Sequence, residues 1–191
     1  MPNINDDPRL TIPQCNSLQP VTTAHINPWF SVRNRGGYFT IEDNSPQVQI
    51  LPIVENKSIV MVRVYRPVLV DNTLELPAGG AKNQKERPVE AAAREFLEET
   101  GILISDLNRF EMLPPLIHMS RSPVLPYVFQ IQLTQHEYDL RKEHDHEISD
   151  VVCFSYKEIL QKIARGEIYV GPQVAVIMRY LLCNQIIKQV E

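Results

Sequence analysis

Apolar residues recur along this chain with two different periods. "VQILPIV" (48–54) and "SIVMVRVYRP" (58–67) are dense in β-branched residues and joined by the polar turn "ENKS", which predicts paired strands. In the second, Val60, Val62 and Val64 alternate with Met61, Arg63 and Tyr65, so one face is expected to be buried. "TLELPAGG" (73–80) predicts a short strand entering a turn, and "RFEMLPPLIHM", "VLPYVFQIQL" and "ISDVVCFSY" predict three later strands. The period turns helical in "ERPVEAAAREFLEETG" (86–101), where Pro88 suits the first turn, the alanines favour helix and Gly101 is placed to end it. "KEILQKIARGE" and "PQVAVIMRYLLCNQIIKQ" predict two more helices. In the last, Val174, Ile177, Met178, Leu181, Leu182 and Ile186 form one apolar stripe, expected to be core.

Near the N-terminus the pattern weakens. Residues 1 to about 24 mix Pro, Asn, Asp and Thr without apolar periodicity, which predicts a poorly ordered or partner-docked arm. "WFSVRNRGGYFTIED" (29–43) then predicts two short strands around a tight turn at Asn34 to Gly37. Many strands with interspersed helices, but without regular βαβ alternation, favour an α/β (α+β) fold in which helices cover both sides of a mixed sheet. The expected division is an N-terminal arm and hairpin at 1–45 and a main domain at 46–191.

At 191 residues the chain is long enough to bury a substantial core. Its 19 basic and 23 acidic side chains give a net charge of -4, and no basic run is present, so no nucleic-acid partner is expected. No apolar stretch is long enough to span a bilayer, and "MPNINDDPRLTIPQ" does not resemble a signal peptide, so no membrane partner and a cytoplasmic location are expected. Cys15, Cys153 and Cys183 form no C-x-x-C pair; Cys153 and Cys183, among apolar neighbours, are expected in the core.

One segment runs against ordinary helix chemistry. Glu95, Glu98 and Glu99 fall at i, i+3 and i+4, within roughly one third of a helix circumference. Such like charges cost a few tenths of a kcal/mol per pair, and glutamate near a helix C-terminus opposes the macrodipole. Either Arg94 and nearby lysines screen a solvated face, or the carboxylates hold a hard cation such as Mg²⁺ or Mn²⁺, which prefers oxygen ligands.

The spacing around these residues bears on that choice. Gly80, five positions, Glu86, seven positions, Arg94-Glu95-Phe96, one position, Glu98-Glu99, one position and Gly101-Ile102 resembles the Nudix box, the metal-binding loop-helix-loop of the Nudix hydrolases. A chance match to those residues in a chain of this length has a probability on the order of 10⁻⁷. The preceding "VYRP" and "TLELPAGG" look most like the ADP-ribose and nucleotide-sugar pyrophosphatases of that family.

The resemblance implies an α/β/α sandwich and Mg²⁺-dependent hydrolysis of a nucleoside diphosphate linked to another group, with Mn²⁺ as a possible substitute. It implies that Glu95, Glu98 and Glu99 are metal ligands, joined by the Gly80 carbonyl, while Arg94 and Glu86 orient the acidic cluster. Arg66 corresponds to a diphosphate-contacting arginine, its alternative being a strand-end surface charge; Glu75 falls in the same substrate-binding set. Trp29 matches an aromatic that stacks on the base in some relatives, with core packing as an equal alternative. Arg121 reaches a phosphate or ribose, or is an ordinary surface arginine. A further acidic residue from "RKEHDHEISD" supplies the general base or a last metal ligand, with Glu147 first and Asp145 or Glu143 behind it. His144 and His146 lie in this loop and are read as exposed. The resemblance also implies a homodimer formed through the N-terminal strands.

The chain departs from that pattern at Ser122-Pro123-Val124, where many nucleotide-sugar hydrolases carry Ser-Pro-Gly, which leaves substrate choice open. Two further readings stand beside the main one: a nucleoside triphosphate pyrophosphohydrolase, and a non-catalytic nucleotide-binding module.

Overall fold

The computed structural model describes residues 15, 17–83 and 85–189. Residues 1–14 of the expected arm lie outside them. Three strands come first: β1 (Val21–Ile26), β2 (Phe30–Arg35) and β3 (Tyr38–Asp43) form a separate antiparallel sheet in that order. The turn between β2 and β3 uses Gly36 and Gly37 at φ 60° and 94°, the left-handed pair that a two-residue hairpin requires. β1 corrects the expected arm at residues 21–24, which are strand. Its Val-Thr-Thr start suits extended backbone, but its side chains are mostly exposed, so no apolar alternation marked it.

The main sheet is built around β4 (Gln47–Val54) and β5 (Ser58–Arg66), joined by a turn with Glu55 and Asn56 at positive φ. These two strands pair only at Ile53↔Ile59 and Val54↔Ser58 and then part. Into the gap come β6 (Asp71–Glu75) against β5 and β7 (Ala78–Gly80) against β4. The remaining strands are β8 (Glu111–Leu113), β9 (Tyr127–Leu133) and β10 (Ile148–Ser155). The order is β10-β5-β4-β9-β8, mixed because β4 and β9 run parallel. The sequence expected strand through "RFEMLPPLIHM", whereas only Glu111–Leu113 pairs; Pro114 and Pro115 have no N–H to give a ladder.

Among the described residues four α-helices complete the fold: α1 (Pro88–Thr100), the short α2 (Gln135–Asp139), α3 (Tyr156–Ala164) and α4 (Gly171–Cys183). On one face of the sheet, Val48, Ile50, Val60, Val62 and Phe129 pack with Ala91, Ala92 and Phe96 of α1. On the other, Leu51, Ile53, Ile59 and Met61 pack with Ile159 of α3 and Val176, Ile177 and Leu181 of α4. The result is the expected α/β/α sandwich. It also corrects the single buried face expected for β5: the valines face α1, but Ile59 and Met61 are buried under α4, because a central strand covered twice need not alternate.

Two details of the last helix differ from expectation. Leu182 and Cys183 are exposed, and the buried side is Gln173, Val176, Ile177, Tyr180 and Leu181. Helical spacing found the helix but placed its stripe one residue too far round, because neighbouring apolar residues satisfied the same period. Cys153 is half-buried against the α1-side core.

α1 is set by its ends. The Arg87 N–H donates to Glu90 Oε2 at 3.0 Å, Pro88 begins the helix, and Gly101 closes it at φ 71° with its N–H on Leu97 O at 2.9 Å. A side chain at Gly101 would also overlap the Lys142 carbonyl. Alanines let α1 lie close to the sheet, and Phe96 anchors it; truncating such a core aromatic costs about 3–5 kcal/mol.

Candidate active site

The gap between β4 and β5 brings the Pro77–Gly80 segment under α1. Ile50 N–H donates to Pro77 O at 2.8 Å and fixes that segment to β4. A methyl group at Gly79 would overlap the Glu95 carboxylate, so glycine here leaves the space which that carboxylate occupies. The Ala78 N–H donates to Glu99 Oε2 at 3.0 Å. Two of the three clustered glutamates are therefore held against β7, and their solvated-face reading is corrected: Glu95 and Glu99 are turned toward the sheet, while only Glu98 is largely exposed.

Arg94 is the centre of this cluster. Its Nε and Nη2 grip Glu86 at 3.0 and 3.2 Å, Nη1 bonds Glu95 and Glu98 at 2.9 Å each, and Nη2 reaches Gly80 O at 2.8 Å. A planar fork can satisfy that many acceptors where a lysine cannot. Burial pushes Glu95 above the ordinary carboxyl range, against the pull of Arg94. Burial pushes Glu99 further, to about 8, with the Ala78 N–H opposing and the Glu95 charge adding to the rise.

Whether these residues suit a metal follows from their chemistry. Among the described residues, no three His, Cys, Asp or Glu side chains converge to enclose an ion in this conformation. The Gly80 carbonyl and the three carboxylates are all hard oxygen donors, the type that Mg²⁺ and Mn²⁺ take. Gly80, Glu95 and Glu98 already share one cation, the Arg94 guanidinium. The donor set fits a divalent ion, which would take over part of what Arg94 now holds.

Arg66, at the end of β5, lies on another side. Its Nε and Nη2 donate to Glu75 Oε1 and Oε2 at 2.7 and 2.9 Å. Glu75 also accepts from Thr73 Oγ1 at 2.6 Å. Burial raises Glu75, but the bonds from Arg66 and Thr73 outweigh it and hold the carboxyl below its usual range. The Glu75 bond raises Arg66, with Glu99 and Glu147 adding smaller charge effects, so three carboxylates from β6, α1 and the loop before β10 lie within electrostatic reach of one guanidinium.

Arg66, Ala78 and Gly79 line a cleft of about 410 Å³ together with Asp43, Gln49, His118 and Gln173. Ser122 and Val124 also border it, so the departure from Ser-Pro-Gly lies at the cleft wall. Sequence reading missed Gln49, His118 and Gln173. A signal for Gln49 was present, since strand parity puts it on the face of buried Leu51 and Ile53. A larger cavity, about 590 Å³, lies at the start of α1 among Arg87, Asn108, Tyr127 and Phe129, with no carboxylate in its lining.

The other expected residues fall elsewhere. Trp29 stands 75% exposed at the turn before β2, which removes core packing as its role. Arg121 donates to Phe39 O at 3.1 Å and lies over the Tyr38 ring at 4.9 Å, joining its loop to β3 rather than lining the cleft. Glu147 is exposed at the foot of β10. Asp145 is engaged: its N–H donates to Glu98 O at 2.7 Å and its carboxylate meets His146 Nδ1 at 2.6 Å. Glu143 is exposed, His146 is exposed and His144 is half-buried.

Comparison with known proteins agrees with this architecture. The NUDIX domain family model matches residues 44–173. No curated protein matches the chain. Among solved structures, one described as an ADP compounds hydrolase is similar with a TM-score of 0.59 and 19% identity, over 89% of this chain and 98% of that one. A NUDIX hydrolase from Nitrosomonas europaea is similar with a TM-score of 0.55 and 21% identity, over 72% and 88% of the two chains. Among the described residues, no helix is long and apolar enough to cross a membrane. The family match covers more than half the length and contains the whole Arg94-centred cluster, and the chain belongs to the NUDIX family of hydrolases.

Proposed function

We propose that this protein hydrolyses the diphosphate linkage of ADP-ribose or a related nucleoside diphosphate sugar, with Mg²⁺ as cofactor, giving a nucleoside monophosphate and a sugar phosphate. The observation that carries the reading is the juxtaposition of Arg66 with the half-buried carboxylates: a guanidinium fixed by Glu75 faces a cleft whose wall, residues 78 and 79, rests on Glu95 and Glu99. The ADP-compound activity named for a structural neighbour is of the same class, though at 19% identity that likeness supports the fold alone.

Gly80 O, Glu95, Glu98, Glu99 and Glu147 would hold the cofactor, which when bound neutralises the diphosphate and lowers the pKa of an attacking water. Arg66 offers its outer edge to a phosphate oxygen, and bidentate contact there fixes the diphosphate. Arg94 keeps Glu95 and Glu98 in register. Glu147 takes the proton of the water as its oxygen attacks phosphorus and the bridging P–O bond breaks. Glu147 stays the first choice because the Asp145 carboxylate is already engaged by His146. Exposed Trp29 is assigned to base stacking and Arg121 to the outer rim of the bound substrate.

The β1–β3 sheet, with Ile26, Tyr38 and Phe39 exposed, is the proposed homodimer contact. Sedimentation of the protein checks that assignment.

A panel of nucleoside diphosphate sugars and dNTPs, assayed with Mg²⁺ and Mn²⁺ and with products identified by mass, tests the function. Nucleoside monophosphate plus sugar phosphate is expected. Pyrophosphate release from dNTPs alone would instead indicate a triphosphate pyrophosphohydrolase, and tight binding without turnover a regulatory module.

A further inference from the structure

Behind Arg66 the cleft is backed by two buried amides. Gln49 is 1% exposed in β4, and Gln173 is buried in the first turn of α4. Gln173 Oε1 accepts from Leu76 N–H at 2.9 Å and from Gln49 Nε2 at 2.6 Å. A backbone N–H can only donate, so the Leu76 bond settles which end of the Gln173 amide is oxygen. Its Nε2 is thereby turned to Glu75 Oε2 at 3.4 Å. Glu75 in turn holds Arg66 by both Nε and Nη2.

This arrangement is not the least costly way to pack α4. Gln49 Oε1 is buried without a hydrogen-bond partner, a loss that an apolar pair would avoid. The pair does one thing an apolar contact cannot: it fixes the far side of Glu75, and through it a guanidinium whose side chain is otherwise 48% exposed. An arginine ordered before its ligand arrives loses less freedom on binding.

We propose that Gln173, oriented by Gln49 and the Leu76 amide, is a positioning residue that keeps Arg66 aimed into the cleft, so that the docking of α4 sets the affinity of the site for phosphate groups. This inference rests on the reading of Arg66 as the phosphate-binding residue.

Gln173→Met keeps the volume and the helix while removing the amide. With ADP-ribose, kcat/KM is expected to fall about tenfold, mostly through KM, while in an Arg66→Ala background the same substitution changes kcat/KM by less than about twofold. A second measurement needs no substrate. The Arg66 Nε–H proton resonance, assigned by its loss in Arg66→Lys, is expected to be sharp and protected in the wild type and broadened by exchange in Gln173→Met. Gln49→Met should show the same change more weakly, and it carries the test if Gln173→Met fails to fold. An unchanged Arg66 signal, or a KM effect that persists without Arg66, overturns the proposal. A wild-type protein that hydrolyses no nucleotide would sink the functional reading, while the proton signal would still decide whether Gln173 positions Arg66.

Discussion

Arg94 and Arg66 are bonded in opposite ways, and the contrast separates building the site from using it. Every nitrogen of Arg94 is engaged, by Glu86, Glu95, Glu98 and the Gly80 carbonyl. Arg66 spends Nε and Nη2 on the single carboxylate of Glu75, and among the described residues its Nη1 makes no protein hydrogen bond. A guanidinium with all its donors engaged can only organise its neighbours. One with a free edge and a fixed back can receive an anion.

The largest effect expected is at Glu99, the carboxylate that neither arginine holds. Glu99→Gln removes, at nearly constant volume, the carboxyl group that must ionise to hold the cofactor, so turnover should fall by about 10³-fold or more in a coupled phosphate-release assay. Because burial already disfavours the ionised Glu99, with its pKa raised to about 8, the melting temperature should stay level or rise. A variant with near-wild-type turnover would remove Glu99 from the site.

Next in size is the contrast itself. Arg94→Ala leaves Glu86, Glu95 and Glu98 without their shared cation, so it should lose about 1–3 kcal/mol of stability as well as most of its kcat. Arg66→Ala should raise KM by about 10- to 100-fold, and because it leaves the buried Glu75 carboxylate without its cation it should also lower the melting temperature. Steady-state kinetics separate the two, a loss of kcat in one against a rise of KM in the other; equal kinetic profiles would end the division of roles. A smaller effect is expected from Gly79→Ala, whose methyl group must push the flexible Glu95 side chain aside. It should cost about tenfold in kcat with a nearly unchanged melt.

The sequence showed the Arg94 side of this contrast more readily than the Arg66 side. Glu95 and Glu98 lie on one helix at a spacing that implied a common face, and the resemblance of the local motif to the Nudix box added Arg94 and Glu86. The Arg66 side is assembled from β4, β5, β6 and α4, and Gln49 and Gln173 are 124 residues apart, a distance no local period can register. The same limit explains the fold. The hairpins within 29–43 and 48–67 and the three longer helices read correctly because their signals are local, while the second buried face of β5 and the outward Leu182 depended on which layer α4 covered.

A third arginine serves as the control. Arg109 forks onto Glu137 at 2.6 and 3.0 Å, and Glu137 also accepts from Thr134 at 2.9 Å as the cap of α2, none of which touches the cleft. The Arg109 bond holds the Glu137 carboxyl down at about 2, against an ordinary 4.5. A depressed carboxyl contributes its full stability above the unfolded value and loses it as pH falls from 4.5 toward 2. The pair is partly exposed, so screening limits that contribution to about 1 kcal/mol or less. Glu137→Gln should therefore melt about 2 °C lower at neutral pH, with the gap from wild type closing through the acid range, and its kcat and KM should be unchanged. If this variant also alters KM, arginine forks in this fold act on the site from any distance, and the distinction drawn between Arg94 and Arg66 would lose its basis.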